Sequence, residues 1–212
     1  MQKEKTNSLP FILITCLFFL WGFAHNLDPI LIPHLKKSFT LSTTQSTLVD
    51  SSVFVAYFFM ALPAGYMMQK WGYKTGIIVG LLLFALGSFV SGYSDDINII
   101  ILGRAIQGAG AISAAITALV ADLTRDEHRT KAMAMIGATI GITFALSLMG
   151  APVLNRLIGV PGIFMLTGML SLTAILVVRF VVPTPLTLNS SQASRKATPS
   201  FKSILKNTQL SR

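Results

Sequence analysis

The feature that most constrains this chain is a series of long apolar runs joined by short polar segments. The runs cover residues 9–35, 45–68, 75–93, 97–123, 131–154 and 160–182. Each run is close to the ~20 residues that a helix needs to cross a bilayer, and the first is too long for a signal-peptide core. Charged residues make up 12% of the chain, against about 25% in soluble domains. The sequence therefore predicts an all-α, polytopic membrane protein built as a six-helix bundle.

The same pattern divides the chain into three parts. Residues 1–8 are predicted to form a cytoplasmic amino terminus, 9–182 the membrane domain and 183–212 a cytoplasmic tail. The tail begins with a stretch rich in proline, serine and threonine, which is typical of a flexible linker. Apolar residues at helical spacing among lysines then favour a short amphipathic segment, residues 201–210, on the inner leaflet.

The net charge of +9 would suit a nucleic-acid partner, but its distribution indicates a membrane topology instead. With the amino terminus in the cytoplasm, the inner side receives Lys3, Lys5, Lys70, Lys74, Arg125, Arg129, Lys131 and the basic tail. The outer side receives Lys36, Lys37, Arg156, Asp95 and Asp96. This asymmetry predicts an inner-membrane protein with both termini cytoplasmic, a lipid bilayer as partner and no nucleic acid.

A short polar stretch, residues 65–76, joins the second and third runs. Gly65 is expected to let the preceding helix pack closely, and Gly72 to let the chain reverse. Lys70 and Lys74 are expected to place positive charge at the membrane surface. Small residues also recur at four-residue spacing, which predicts close approach of helix backbones in lipid. These are Gly72, Gly76 and Gly80, and again Gly137 and Gly141.

Asp28 is the first candidate for chemistry, because an ionisable side chain inside a membrane helix is costly and suggests a function. Pro29 and Pro33 are expected to break or kink the far end of this helix, and a kink can line a water-filled cavity. In such a site a carboxylate can take up and release a proton. The alternative is that Asp28 lies at the outer interface and simply meets water.

Arg104 and Gln107 are the second candidates, since they lie with Gly108 on one face of the predicted fourth helix. Arg104 and Asp28 are each roughly 10 Å from the outer ends of their helices, so the two could pair. The pair would serve either a transport pathway or only the packing of the helices. Asn26 could hydrogen-bond a sugar or a neighbouring helix.

Other chemistry finds no support in the sequence. His25, His34 and His128 lack metal-ligand spacing, and the single Cys16 excludes an intrachain disulfide. There is no phosphate-binding loop, nucleophile motif or Cys/His cluster. The sequence predicts no enzyme, no metal and no cofactor.

The polar stretch resembles the loop after the second helix in the major facilitator superfamily, where Gly65, Lys70, Gly72 and Lys74 match the loop motif. The motif's acidic position holds Gln69 here. Residues 18–90 resemble the fucose–proton symporters and their glucose/galactose relatives, through 18–22, 26–33, 63–65 and 73–80. That resemblance implies proton-coupled sugar uptake with a helix 1 carboxylate in the proton path, although Asp28 stands one residue before the family position.

The rear part of the chain, residues 100–185, is similar instead to the drug–proton antiporter branch. Arg104, Gln107, Gly108 and Gly110 match its helix 4 motif, and residues 137–144 and 150–152 resemble its helix 5 motif. The superfamily resemblance implies twelve helices in two halves with the substrate between them, and this chain matches one half.

We expect secondary transport of a small solute, with sugar–proton uptake first and multidrug–proton antiport as the alternative. A second alternative is a truncated half or an assembly partner that transports nothing. The predicted pathway residues are Asp28, Asn26, Arg104 and Gln107. The predicted partners are a sugar, a proton, and a second six-helix half or a second copy of the chain.

Overall fold

The computed structural model describes residues 9–110, 112–124 and 126–180, without the side chains of residues 9–14, 28–30, 38, 122, 123 and 126. The predictions for residues 1–8 and for the tail, 183–212, lie outside the described residues. Within the described ranges every element is helical. The elements are α1 (Leu9–Ser38), α2 (Thr43–Trp71), α3 (Tyr73–Tyr93), α4 (Ile97–Ala109), α5 (Ser113–Leu123) and α6 (Asp126–Phe180).

Five segments of the described chain are long and apolar enough to cross a membrane. They are Thr15–Lys37, Thr43–Trp71, Tyr73–Tyr93, Ile97–Ala121 and Glu127–Phe180. The last has 54 residues, which a continuous helix would stretch over about 80 Å, far more than the ~30 Å hydrocarbon core. It is therefore too long to be a single crossing.

Gly159 divides α6 into two crossings. Its backbone is non-helical, with φ 67° and ψ 178°. Ala132 and Val178, near the two ends of α6, lie in one buried cluster, whereas Ala151 and Ile163, on either side of Gly159, lie in another. The chain thus runs out and back, and the described residues make six crossings as the sequence predicted.

The buried core forms one cluster at each end of the bundle. The Trp21 cluster contains Leu17, Phe18, Trp21, Ile77, Leu81, Ile112, Ala115, Ile116, Leu119, Val120, Ala132, Ile136, Ala174 and Val178. The Leu27 cluster contains Leu27, Leu31, Leu35, Leu41, Val49, Ile100, Ala151, Ile163 and Phe164. Each draws on several helices, so both ends of the bundle are fixed by packing.

The ends of α2 follow from local hydrogen bonds. Ser42 Oγ accepts from the Gln45 amide at 3.2 Å, and Gln45 Oε1 accepts from the Ser42 amide at 3.0 Å. This capping box starts the helix at Thr43, two residues before the predicted boundary. At the other end the Gly72 amide donates to the Met68 carbonyl at 2.9 Å, and α3 begins at the next residue.

Three sequence expectations need correction. The predicted fourth helix, 97–123, is divided because α4 ends at Ala109 and α5 begins at Ser113. The first helix does not end at Pro29 or Pro33 and remains helical to Ser38. Gly65 does not serve close packing, because a Cβ there would meet no atom of the described residues within 4 Å.

Candidate functional site

A buried polar network joins α3 and α4 in the middle of the bundle. Arg104 Nη1 donates to Gln107 Oε1 at 2.8 Å, and Gln107 Nε2 donates to Ser88 Oγ at 2.7 Å. Ser88 Oγ in turn donates to the Phe84 carbonyl at 2.8 Å. The side chains of Arg104, Gln107 and Ser88 are at most 2% exposed. We call these three residues the Arg104 network, and it confirms that Arg104 and Gln107 share a face of α4.

Glycines bring α3 and α4 close enough for this network to form. A Cβ at Gly87 would collide with the Gly103 carbonyl oxygen and the Gln107 amide nitrogen. A Cβ at Gly103 would in turn collide with Ser91. Because these are mostly backbone contacts, the two helices lie too close for any side chain larger than hydrogen at these positions. We call this contact between α3 and α4 the glycine seam.

Gly108 makes the same kind of contact toward α2. A Cβ there would collide with the main chain of Val53. Gly108 directly follows Gln107, so the helix face that holds the network also packs against a second neighbouring helix. Arg104 and Gln107 are thus fixed from both sides.

Asn26 contacts the first crossing of α6. Its Nδ2 donates to Thr143 Oγ1 at 3.3 Å, and Thr143 Oγ1 donates to the Ile140 carbonyl at 2.8 Å. One turn along α6, Ser147 Oγ donates to the Phe23 carbonyl at 3.2 Å. Of the two readings of Asn26, the bond to a neighbouring helix is the one present in this structure.

Asp28 lies in α1, but its side chain falls outside the described residues. Its pairing with Arg104 therefore stays a prediction. One turn earlier on α1, His25 stacks on Trp21 with ring centroids 5.1 Å apart.

The predicted loop motif folds into the junction of α2 and α3. Gly72 has φ 85°, a left-handed value that favours glycine, so the chain reverses there as expected. Lys70 Nζ lies 5.7 Å from the Trp71 ring centroid, within range of a cation–π contact. Lys74 Nζ donates to the Arg179 carbonyl at 3.2 Å and so connects this junction to the end of α6.

Sequence reasoning missed two hydroxyls of the site and one further acid within a predicted membrane helix. Ser88 and Thr143 are single hydroxyls in apolar runs, and their partners lie 19 and 117 residues away along the chain. Asp50 carried the same signal as Asp28, an acid inside a predicted membrane helix. It lies half-buried on α2, and its enclosed Oδ1 has no hydrogen-bond partner among the described residues.

Comparison with known proteins gives a family match over most of the chain. The family model described as Major Facilitator Superfamily matches residues 11–210. The Inner membrane transport protein YajR of Escherichia coli (strain K12) is 42% identical over 144 residues, 68% of this chain and 32% of that protein.

Two further relatives have names that refer to sugars. The L-fucose-proton symporter of Escherichia coli (strain K12) is 44% identical over 86 residues, 41% of this chain and 20% of that protein. The Glucose/galactose transporter of Brucella abortus biovar 1 (strain 9-941) is 39% identical over 114 residues, 53% of this chain and 28% of that protein. These alignments, with that to YajR, cover about a third or less of each relative.

A solved structure has the same fold. The crystal structure of the Major Facilitator Superfamily transporter FucP in the outward conformation superposes with a TM-score of 0.70 and 23% identity. The match covers 89% of this chain and 56% of that one. At this identity the similarity concerns the fold alone, and this chain corresponds to about half of that transporter.

Proposed function

The chain belongs to the major facilitator superfamily, and on that premise we propose that it forms one six-helix half of a sugar–proton symporter. The sequence resemblance is confirmed at the level of the superfamily. Members of this family are transporters and not enzymes, which agrees with the prediction for this chain. The sugar, the proton and the second half are parts of the proposal.

The observation that carries the proposal is a buried arginine network inside a membrane-spanning bundle. A charged side chain at the bilayer centre costs at least ~2.5–3.5 kcal/mol on insertion scales, so such residues commonly mark substrate or ion pathways. Arg104 is 2% exposed and bonds to Gln107, whose amide reaches Ser88 on α3. A rigid, charged group of this kind can orient a solute or hold a proton-binding carboxylate in place.

The proposed proton carrier is Asp28, and the proposed solute contacts are Asn26, Arg104 and Gln107. Protonation of Asp28 from the outer side would weaken its attraction to Arg104 and so favour one conformation over another. Release of the proton inside would restore the charge. The coupling would then depend on a difference in electrostatic energy between the two protonation states.

In this proposal, the second half of the transporter is a further unit of six helices. Alternating access needs two bundles that move about a shared site. The first crossing of α6 offers a surface for such a unit, since a Cβ at Gly137, Gly141 or Gly150 would meet no atom of the described residues within 4 Å. The unit is a further part of the same protein, another chain or a second copy of this one, and we expect no transport by the 212-residue monomer.

The direct test is transport in liposomes with an imposed proton gradient. The purified chain is reconstituted alone and with a second six-helix half, its mass is measured in detergent, and uptake of labelled fucose and galactose is followed. Gradient-driven accumulation by the assembled species supports the proposal. Dye efflux without sugar uptake would favour the drug–proton alternative, and transport by a species of monomer mass would refute the need for a second half.

Asp28→Asn tests the proton carrier in the same assay. The amide keeps the size of the side chain but cannot carry a proton, so accumulation per molecule of purified protein should be lost. Glu127→Gln, which changes an exposed acid at the start of α6, is the matched control and should transport normally. Normal accumulation by Asp28→Asn would remove this residue from the mechanism.

A double-mutant cycle tests the pairing of Asp28 with Arg104. If the two side chains are in contact, each single variant leaves one buried charge uncompensated. The double variant, Asp28→Asn with Arg104→Gln, removes both charges and should express better than either single variant. Strictly additive losses would argue against the contact.

The proposed orientation is tested with reporter fusions after Arg212 and in the α1–α2 connection. A periplasmic signal at Arg212 would contradict two cytoplasmic termini.

A further inference from the structure

A cavity with one polar and one apolar side lies at the end of the bundle opposite the Gly72 junction. It occupies about 330 Å³ where α1 ends, α3 passes into α4, and α6 reverses at Gly159. This volume falls within the usual range of ligand pockets, roughly 300–1,000 Å³. None of the described residues that line it belongs to the Arg104 network. The cavity, which we call the outer pocket, is therefore separate from the proposed pathway.

The polar side of the outer pocket presents both donors and acceptors. Asn155 Nδ2 and His34 Nδ1 are 3.2 Å apart across α6 and α1, and both residues are half-buried. Ser91 adds a buried hydroxyl, and Lys37 and Asp95 add opposite charges that balance each other. The groups that face the cavity are consequently mixed in hydrogen-bonding character and neutral in sum.

The other side of the outer pocket is apolar and fixed. Phe164 and Ile100 line it and are at most 2% exposed, because both belong to the Leu27 cluster. The chain beside them is constrained as well. Gly159 lines the cavity with φ 67°, and a Cβ at Gly92 would lie only 3.0 Å from the Pro161 carbonyl oxygen. The pocket is thus preformed by packing and by the reversal of α6.

We propose that the outer pocket binds a small neutral polyhydroxylated molecule of about monosaccharide size. Such a ligand has C–H faces that pack on Phe164 and Ile100, and hydroxyls that both donate and accept. The Asn155 side-chain amide offers both a donor and an acceptor, and Ser91 Oγ, which donates to the Ile100 carbonyl at 3.4 Å, keeps its capacity to accept from a ligand hydroxyl. A net charge on the ligand would find no surplus of the opposite sign among the lining residues. Binding of this ligand in the outer pocket does not require that the chain transports a solute.

Ligand protection of a single cysteine tests this site in the purified full chain. Cys16→Ser provides the cysteine-free background, Ser94→Cys places a thiol in the lining, and Tyr93→Cys places one on the neighbouring exposed residue outside it. The probes are D-galactose, D-galacturonate and D-galactosamine, which share a ring but differ in charge. D-galactose should slow maleimide labelling of Ser94→Cys severalfold and leave Tyr93→Cys unchanged.

Substitutions at Asn155 then assign the binding to the pocket. In the Ser94→Cys background, Asn155→Leu should abolish protection by D-galactose, whereas Asp28→Asn in the pathway should leave it intact. Asn155→Asp keeps the shape and adds a negative charge, so protection should shift to D-galactosamine. This gain remains informative if Asn155→Leu fails to elute as a folded species.

Three results would overturn the proposal. They are no protection by D-galactose at Ser94→Cys, equal protection at Tyr93→Cys, and equal protection by all three probes. Loss of transport in the liposome assay, with cysteine protection intact, would count against the proposed function and not against this site.

Discussion

Two pairs of glycines in this chain share the same four-residue spacing and lie in opposite surroundings. On α3, a Cβ at Gly76 or Gly80 would collide with Met68 or with Ile112. On α6, a Cβ at Gly137 or Gly141 would meet no described atom within 4 Å. The four-residue spacing of glycines therefore predicts that another helix can approach the glycine face closely. It does not identify the helix that does so.

The difference separates two roles of small residues in a membrane bundle. The glycine seam between α3 and α4 is filled from within the bundle, and it holds Gln107 against Ser88. The corresponding face of α6, residues 134–150, has exposed positions, including Gly137 and Gly141. We assign the first to stability of this half and propose the second as the contact with another six-helix unit.

The largest contrast is expected from adding one methyl group to each region. Gly87→Ala would drive a Cβ into backbone atoms of α4, and overpacking of this kind costs about 1–3 kcal/mol or more. Gly141→Ala adds the same methyl to open space and should change stability by less than about 1 kcal/mol, in the stabilising direction. The measurement is the temperature at which half of the detergent-purified protein still elutes as a single species. Equal shifts of this temperature for both variants would contradict the distinction between the packed glycines of α3 and the open glycines of α6.

Breaking the Arg104 network without changing the glycines gives the next effect. Gln107→Leu leaves Arg104 and Ser88 with one hydrogen bond fewer each in a buried site, which should cost about 1–3 kcal/mol. Gln69→Leu, at the exposed end of α2, is the control and should remain within about 0.5 kcal/mol of the parent. The same elution assay reports both. If the two variants melt alike, the network does not stabilise the seam.

A smaller effect is expected where α1 meets the first crossing of α6. Thr143→Val removes the acceptor of Asn26, and hydrogen bonds between membrane helices average ~0.6 kcal/mol in measured cycles. Asn26→Leu should destabilise the bundle by a similar amount. Transport kinetics separate the two roles of Asn26: if it also contacts the solute, Asn26→Leu raises KM while Thr143→Val does not. Equal KM values would assign Asn26 to packing alone.

The smallest effect on the bundle itself should follow from a bulky residue on the open face. Gly141→Leu should leave the stability of the bundle within about 0.5 kcal/mol of the parent, because no atom of the described residues lies within 4 Å of a Cβ at this position. It should nevertheless reduce co-purification with a second tagged half or copy, and transport with it. Thr173→Leu, on an exposed position of the second crossing of α6, is the matched control for added bulk. Unchanged assembly in Gly141→Leu would place the partner elsewhere.

Much of the fold could be predicted from the sequence, because apolar runs and short turns leave a membrane chain few alternatives. The six crossings, the reversal at Gly72 and the shared face of Arg104 and Gln107 all follow from local patterns. The start of α2 required recognition of the Ser42–Gln45 capping box. The break between α4 and α5 was not predicted. Gly110, which precedes it, lies so close to α3 that a Cβ there would collide with the Gly80 carbonyl oxygen.

The partners within the site were less predictable. Ser88 and Gln107 come from different helices, as do His34 and Asn155, which are 121 residues apart. Periodicity tells which side of a helix is buried and does not identify the helix that covers it. Gly65 illustrates the same limit, because a glycine that suggests close packing in sequence has no atom of the described residues within 4 Å of the position of a Cβ.

The reversal at Gly159 also constrains how the chain enters the bilayer. A single non-helical residue between two crossings leaves no loop that could be translocated by itself. We therefore expect residues 126–180 to insert together as a helical hairpin. In the proposed orientation its tip takes Arg156 across the hydrocarbon core, at a cost of roughly 2.5–3.5 kcal/mol for the arginine. The apolar side chains of the two arms supply the driving force for that step, so a polar substitution in either arm should hinder biogenesis before it affects the folded bundle.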